Sequence, residues 1–329
     1  MQWIVIGGAV CAAVSLAMGW SPWRRNDLAA VFAGGHWSTA IWLSVGVAAA
    51  HWLMVGRIED ASALPLNTWP TAPLRNYSFY HWPFFIALGL LPLGLLEGAG
   101  RQIGAVRTGL VWVCRPLVIG IALYFALITV LDPVPDPFHP APPISVLEQL
   151  GFLTLWALPI FALVALIDPL AHRRPGATLP LGLWFIAAAS SGCFVLLGQL
   201  NLAMSAAGLA VALGALVVLS WLQPLFSLAR GGVTQALTVL ACQWAAAIYL
   251  APIRGQWLCL GLMAFGVAAL WLREAPFLAK RPPWMAAVLT LILVAVPIGA
   301  SLGLASWQYL QNRPAAADPN TQLYSSLTP

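Results

Sequence analysis

Ten times along its length the chain runs for about 20 residues with few polar side chains, and this recurrence limits the fold more than any other feature. The runs cover roughly 1–20, 29–55, 79–97, 110–131, 146–167, 179–199, 203–222, 233–252, 256–272 and 284–310. A bilayer core offers no water to backbone N–H and C=O groups, so each run is expected to close its own hydrogen bonds as a spanning helix. The expected class is therefore all-α: a polytopic transmembrane helical bundle of about ten spans. One integral membrane domain would cover 1–311, followed by a polar tail at 312–329. Composition points the same way. Soluble domains carry about 25% charged residues, whereas only 8% of these 329 residues are charged and 61% are hydrophobic. The first twenty residues lack a basic start and a small-residue exit and read as a retained span. Two points of the count are open: whether the sixth and seventh runs are separate, and whether the short ninth run spans or re-enters.

Lys and Arg, counted by loop, orient the bundle. Loops after odd-numbered runs hold Arg24, Arg25, Arg101, Arg107, Arg173, Arg174, Arg230, Arg273, Lys280 and Arg281, against Arg57, Arg75, Arg254 and Arg313 on the other side. The positive-inside rule then puts the odd loops in the cytoplasm and both termini outside, in a bacterial-type inner membrane. Basic residues spread in this way account for the net charge of +5 as a topology signal, so nucleic acid is not an expected partner. Membrane lipids are, and further membrane subunits fit. Two outer loops have substance, 56–78 and 132–144, and the proline-rich second should be a stiff strap. All five cysteines fall inside apolar runs and form no disulfide framework or CxxC pair.

Three of the five histidines precede a tryptophan, at His36, His51 and His81. With the second run heading outward, His36 lies toward the cytoplasm, and His51 and His81 stand at similar outer depth on adjacent helices. These two are either amphipathic anchors at the headgroup layer, like many of the seventeen tryptophans, or axial ligands of a b-type haem. His36 follows Arg25 by eleven residues, and eleven steps of about 100° return nearly to the same helix face. Either the two share a site that Gly34 and Gly35 open, or His36 is a packed histidine and Arg24 and Arg25 mark topology.

The Arg25-x10-His36 spacing, the "FFIALG" of residues 84–89 and the "ISVLEQLGFLTLW" of residues 144–156 together resemble the membrane acyltransferase family 3, over about the first half of the chain. The resemblance implies transfer of an acyl group from a thioester donor to a lipid or sugar hydroxyl. His36 would be the general base, because a neutral imidazole suits removal of the hydroxyl proton. Arg25 with Arg24 would hold donor phosphates, and Glu148 would orient the acceptor. Ser145 and Glu148 also have the S-x-x-E spacing of a helix capping box.

Coupled carriers usually keep an ionisable residue at depth. Here Glu97, Asp132, Glu148, Asp168 and Arg115 all sit at run ends. The deep polar residues are neutral: Ser190, Ser191, Thr238 and Gln243, which suit helix-helix contacts or the lining of a path. Walker, Rossmann and zinc signatures are absent. The sequence thus favours an acyltransferase-like membrane enzyme, with a transporter or non-catalytic membrane subunit as the alternative and a b-type haem protein as the minor one.

Overall fold

A computed structural model describes residues 36–54, 82–98, 104–131, 145–173, 176–222, 228–229, 231–250 and 256–312. These described residues are nearly all helical and contain no strand. In chain order the helices are α1 (His36–Met54), α2 (Trp82–Gly89), α3 (Leu91–Gly98), α4 (Gly104–Leu131), α5 (Val146–Arg173), α6 (Thr178–Leu196), α7 (Leu200–Leu222), α8 (Gly232–Leu250) and α9 (Gln256–Ala269). A 3-10 turn (Leu270–Glu274), the short α10 (Pro276–Ala279) and α11 (Pro283–Asn312) complete them. The first apolar run, Arg24, Arg25, His81, both outer loops and the tail beyond Asn312 lie outside the described residues.

Six helical stretches among the described residues are long and apolar enough to cross a bilayer: Gly109–Leu127, Val146–Arg173, Thr178–Leu196, Leu200–Trp221, Gln256–Glu274 and Trp284–Gln311. Thr39–His51 and Phe85–Glu97 are shorter apolar helices. The described part of the chain is all-helical, and its long apolar helices are those of a multi-pass membrane protein.

The sixth and seventh runs are separate helices, and the reason is a C-terminal cap. Gln199 N–H donates to the Phe194 carbonyl at 2.8 Å and Gly198 N–H to that of Val195 at 3.0 Å, with Gly198 at φ 76°. That is the Schellman arrangement, which needs a left-handed residue after the helix and takes glycine for it. The chain reverses there, and α6 packs along α7. The short ninth run gains length from the 3-10 turn, so that Gln256–Glu274 makes a 19-residue apolar stretch.

The third run, expected as one span, is two eight-residue helices meeting at Leu90. Pro92 has no N–H to offer the carbonyl of Leu88, which loosens the ladder at this point. The ladder still runs across the joint, with Leu90 N–H donating to the Ile86 carbonyl at 2.9 Å and Gly94 N–H to the Leu90 carbonyl at 3.0 Å, and Gln235 Nε2–H of α8 adds a second donor to that carbonyl at 3.3 Å.

The centre of the bundle is α8. Residues 231–247 are all buried, and α8 packs against α1 through α7 and α9. The outward surface is carried by other helices, as Leu117 of α4, Leu155 of α5 and Val296 of α11 show, each more than 60% exposed. In a bilayer these faces meet lipid.

Candidate functional site

Three charged side chains stand together at one end of this core. Arg115 donates from Nε to Glu97 Oε1 and from Nη2 to Asp168 Oδ2, each at 2.7 Å. Thr234 Oγ1 lies 2.9 Å from Glu97 Oε2 and 3.1 Å from Oε1, so its hydroxyl donates to that carboxyl. Four helices contribute: Glu97 ends α3, Arg115 is on α4, Asp168 is near the end of α5 and Thr234 is in the first turn of α8. Glu97 and Arg115 are 3% and 5% exposed. Arg115 lies six residues inside the apolar stretch that opens at Gly109, about 9 Å along the helix. Asp168 lies five residues short of Arg173, where its own stretch ends.

Backbone contact makes this meeting feasible. Gly231 has φ 108°, and a Cβ placed on it would fall 2.8 Å from both Cα and O of Gly94. A Cβ on Gly94 would fall 2.6 Å from Ala40 Cβ and from Gln235 Nε2. Only glycines at both positions let α3 and the start of α8 touch. That closeness delivers Glu97, one turn beyond Gly94, to Thr234.

The cluster is polarised. The Arg115 guanidinium lies 5.9 Å from the Trp112 ring centre, a cation–π contact. Asp168 Oδ2 is bound to Arg115, whereas Asp168 Oδ1 is buried and accepts no hydrogen bond. One turn on, His172 holds Nδ1 at 2.9 Å from the Asp168 carbonyl oxygen and 3.7 Å from Oδ1. The His172 side chain is 46% exposed. An imidazole at the surface thus adjoins a half-buried carboxylate whose Oδ1 is covered by protein.

None of the residues singled out from the sequence is among the described members of this cluster. His36 is the first residue of α1, and its side chain is not among those described; Arg24 and Arg25 lie wholly outside. Glu148 is exposed and caps its own helix: Oε2 accepts from Ser145 N at 2.9 Å and Oγ at 2.7 Å, while Glu148 N donates back to Ser145 Oγ at 3.3 Å. It is twenty residues from Asp168 on α5, so about 30 Å away along the helix. His51 is 3% exposed in the last turn of α1, inside the bundle rather than on its lipid face. The second ligand of a haem, His81, is outside the described residues.

The deep neutral residues bond between helices. Trp244 Nε1 donates to Ser190 Oγ at 3.0 Å, Ser191 Oγ to the Ala203 carbonyl at 2.8 Å and Gln243 Nε2 to Ser205 Oγ at 2.9 Å. Thr238 is different: its buried hydroxyl, one turn beyond Thr234, has no hydrogen-bond partner. Among the described residues no three His, Cys, Asp or Glu side chains group to hold a metal ion. An apolar groove of about 590 Å³ runs between α4 and α5, lined by Pro116, Gly120, Tyr124, Leu153, Ala157 and Phe161 among others. Searches of known protein families and of curated proteins each find no match to this chain.

Proposed function

We propose that the protein is an ion-coupled membrane carrier whose coupling centre is the Glu97, Arg115 and Asp168 cluster. The observation that carries this reading is the bare, buried Asp168 Oδ1 beside a guanidinium that already serves two carboxyls. Taking such charges out of water costs several kcal/mol per ion, and a cluster kept for stability alone is expected to satisfy its lone pairs. Ionisable residues inside membrane bundles mark ion and proton paths by default.

The test is solute profiling of a strain lacking the protein, complemented with the native chain or with Glu97→Gln. A carrier predicts a solute whose internal-to-external ratio changes with the native chain and not with the variant at equal membrane abundance. If no solute separates the three strains, the carrier reading fails.

A second reading keeps the acyltransferase-like membrane enzyme, and the α4–α5 groove favours it because an apolar groove of this size on the lipid-facing side accepts a lipid acyl chain. His36 is its base, Arg25 and Arg24 hold the phosphates of an acyl thioester, and Glu148 orients the acceptor. A His36→Ala chain that reaches the membrane and leaves every lipid and surface acylation of the host unchanged sinks it.

A further inference from the structure

We infer that Asp168 is the proton-binding carboxyl of this cluster and that His172 loads it from the surface. The inference names the coupling ion of the carrier reading and rests on that reading for its purpose. Its chemistry stands on two observations: a carboxylate oxygen that is buried without a hydrogen bond, and an exposed imidazole with Nδ1 3.7 Å from it. An acceptor oxygen in a dry site is stabilised by whatever donor reaches it, and a proton is the smallest.

The route balances without any other reagent. A proton from water joins the imidazole at Nε2, and the Nδ1 proton passes to Asp168 Oδ1, which leaves a neutral imidazole and a neutral carboxyl. At rest Nδ1 lies at the Asp168 carbonyl oxygen, 2.9 Å away. A separation of 3.7 Å is too long for a hydrogen bond, so the ring must swing from carbonyl to carboxyl before the proton moves. Solvent reaches the imidazole directly, whereas Oδ1 is sealed. Protonation also alters the centre: a neutral Asp168 holds Arg115 less firmly, which leaves the guanidinium to Glu97.

The surroundings supply charge from several sides. Arg115 comes from α4, with Glu97 of α3 behind it. Thr234 of α8 is an uncharged donor to Glu97. On α5 itself Arg173 is turned away, its guanidinium 5.9 Å over the Trp271 ring. The 3-10 turn packed on α5 brings Arg273 and Glu274, of opposite sign. The last residues of α9 bring no ionisable side chain to this end.

Infrared difference spectroscopy of the full chain in phosphatidylethanolamine–phosphatidylglycerol vesicles tests this. The native protein should show a protonated-carboxyl component that grows as pH falls and that Asp168→Asn lacks, over the bands of the nine other Asp and Glu side chains, which both proteins share. Asp168→Glu, which keeps a carboxyl, should move it. After a pH jump His172→Ala should slow its appearance about tenfold or more, with its final size unchanged. Identical titrating bands in the native protein and in Asp168→Asn overturn the assignment. An unchanged rate in His172→Ala overturns the role of the imidazole. The two proposals fail separately. A titrating Asp168 in a protein that moves no solute ends the carrier reading alone, and solute movement driven by sodium with no titrating Asp168 component ends the proton assignment alone.

Discussion

Arg115 Nη2 and Asp168 Oδ2 meet at 2.7 Å across the α4–α5 interface, between residues 53 apart in sequence. The same guanidinium holds Glu97, so its removal strands one buried and one half-buried carboxyl. Arg115→Leu is expected to cost about 3–5 kcal/mol of stability in detergent unfolding, the usual consequence of removing one partner of a buried pair. Neutralising all three together, as Glu97→Gln, Arg115→Gln and Asp168→Asn, should cost less than Arg115→Leu alone. If the triple variant is the weaker protein, charge desolvation is not what makes the cluster costly.

Gly231 is expected to be intolerant. Gly231→Ala places a Cβ against the backbone of Gly94 at a residue with φ 108°, and the loss should exceed about 1 kcal/mol. Gly299 has open space around its virtual Cβ, so Gly299→Ala should leave the unfolding midpoint unchanged or raise it slightly. Equal behaviour of the two variants would contradict the α3–α8 contact.

Cys193 of α6 and Cys259 of α9 are free and fully buried where the two helices pack together, with the Cys259 thiol 3.7 Å from Gln308 Oε1. Copper phenanthroline should take two electrons from this pair, releasing two protons and forming a disulfide. Protease cleavage between α6 and α9 then yields fragments that separate only after reduction. Fragments that separate without reductant would show that these helices do not meet at these residues.

The serine and tryptophan bonds of the interior are expected to be helix-helix ties. Trp244→Phe and Ser191→Ala each remove one interhelical donor and should cost about 0.6 kcal/mol. Neither should change the solute profile. A loss of that profile at normal abundance would place these residues on the path instead.

The helices were legible in the sequence because an apolar run of membrane length leaves the backbone few alternatives. Their interruptions were less so. The break at Leu90 is written as Gly89, Pro92 and Gly94, but hydropathy across 79–97 passes over it. The reversal after α6 depends on one left-handed residue, Gly198, inside apolar sequence that hydropathy does not divide. The charged cluster was hidden for another reason. Glu97, Arg115 and Asp168 each stand near the end of a run, where a single charge ordinarily reaches headgroups or water. Only the Gly94–Gly231 crossing and the packing of α4 and α5 around α8 turn three such ends inward to one point. The Thr234 contact to Glu97, across 137 residues, has no local signature at all.

The sheathing of α8 bears on how the chain is built. Thr234, Gln235, Thr238 and Gln243 make this helix a poor guest for bare lipid, yet in the finished protein all four are at most 2% exposed. Its surroundings must therefore be provided by protein. The strongly apolar α6–α7 hairpin precedes it in synthesis and is able to enter the bilayer on its own hydropathy. Burial of α8 therefore depends on docking against α1 through α7 and α9, the helices that surround it in the finished protein. Until that docking is complete its polar groups stay exposed to lipid, a mark by which membrane quality control can tell an unfinished chain from a finished one.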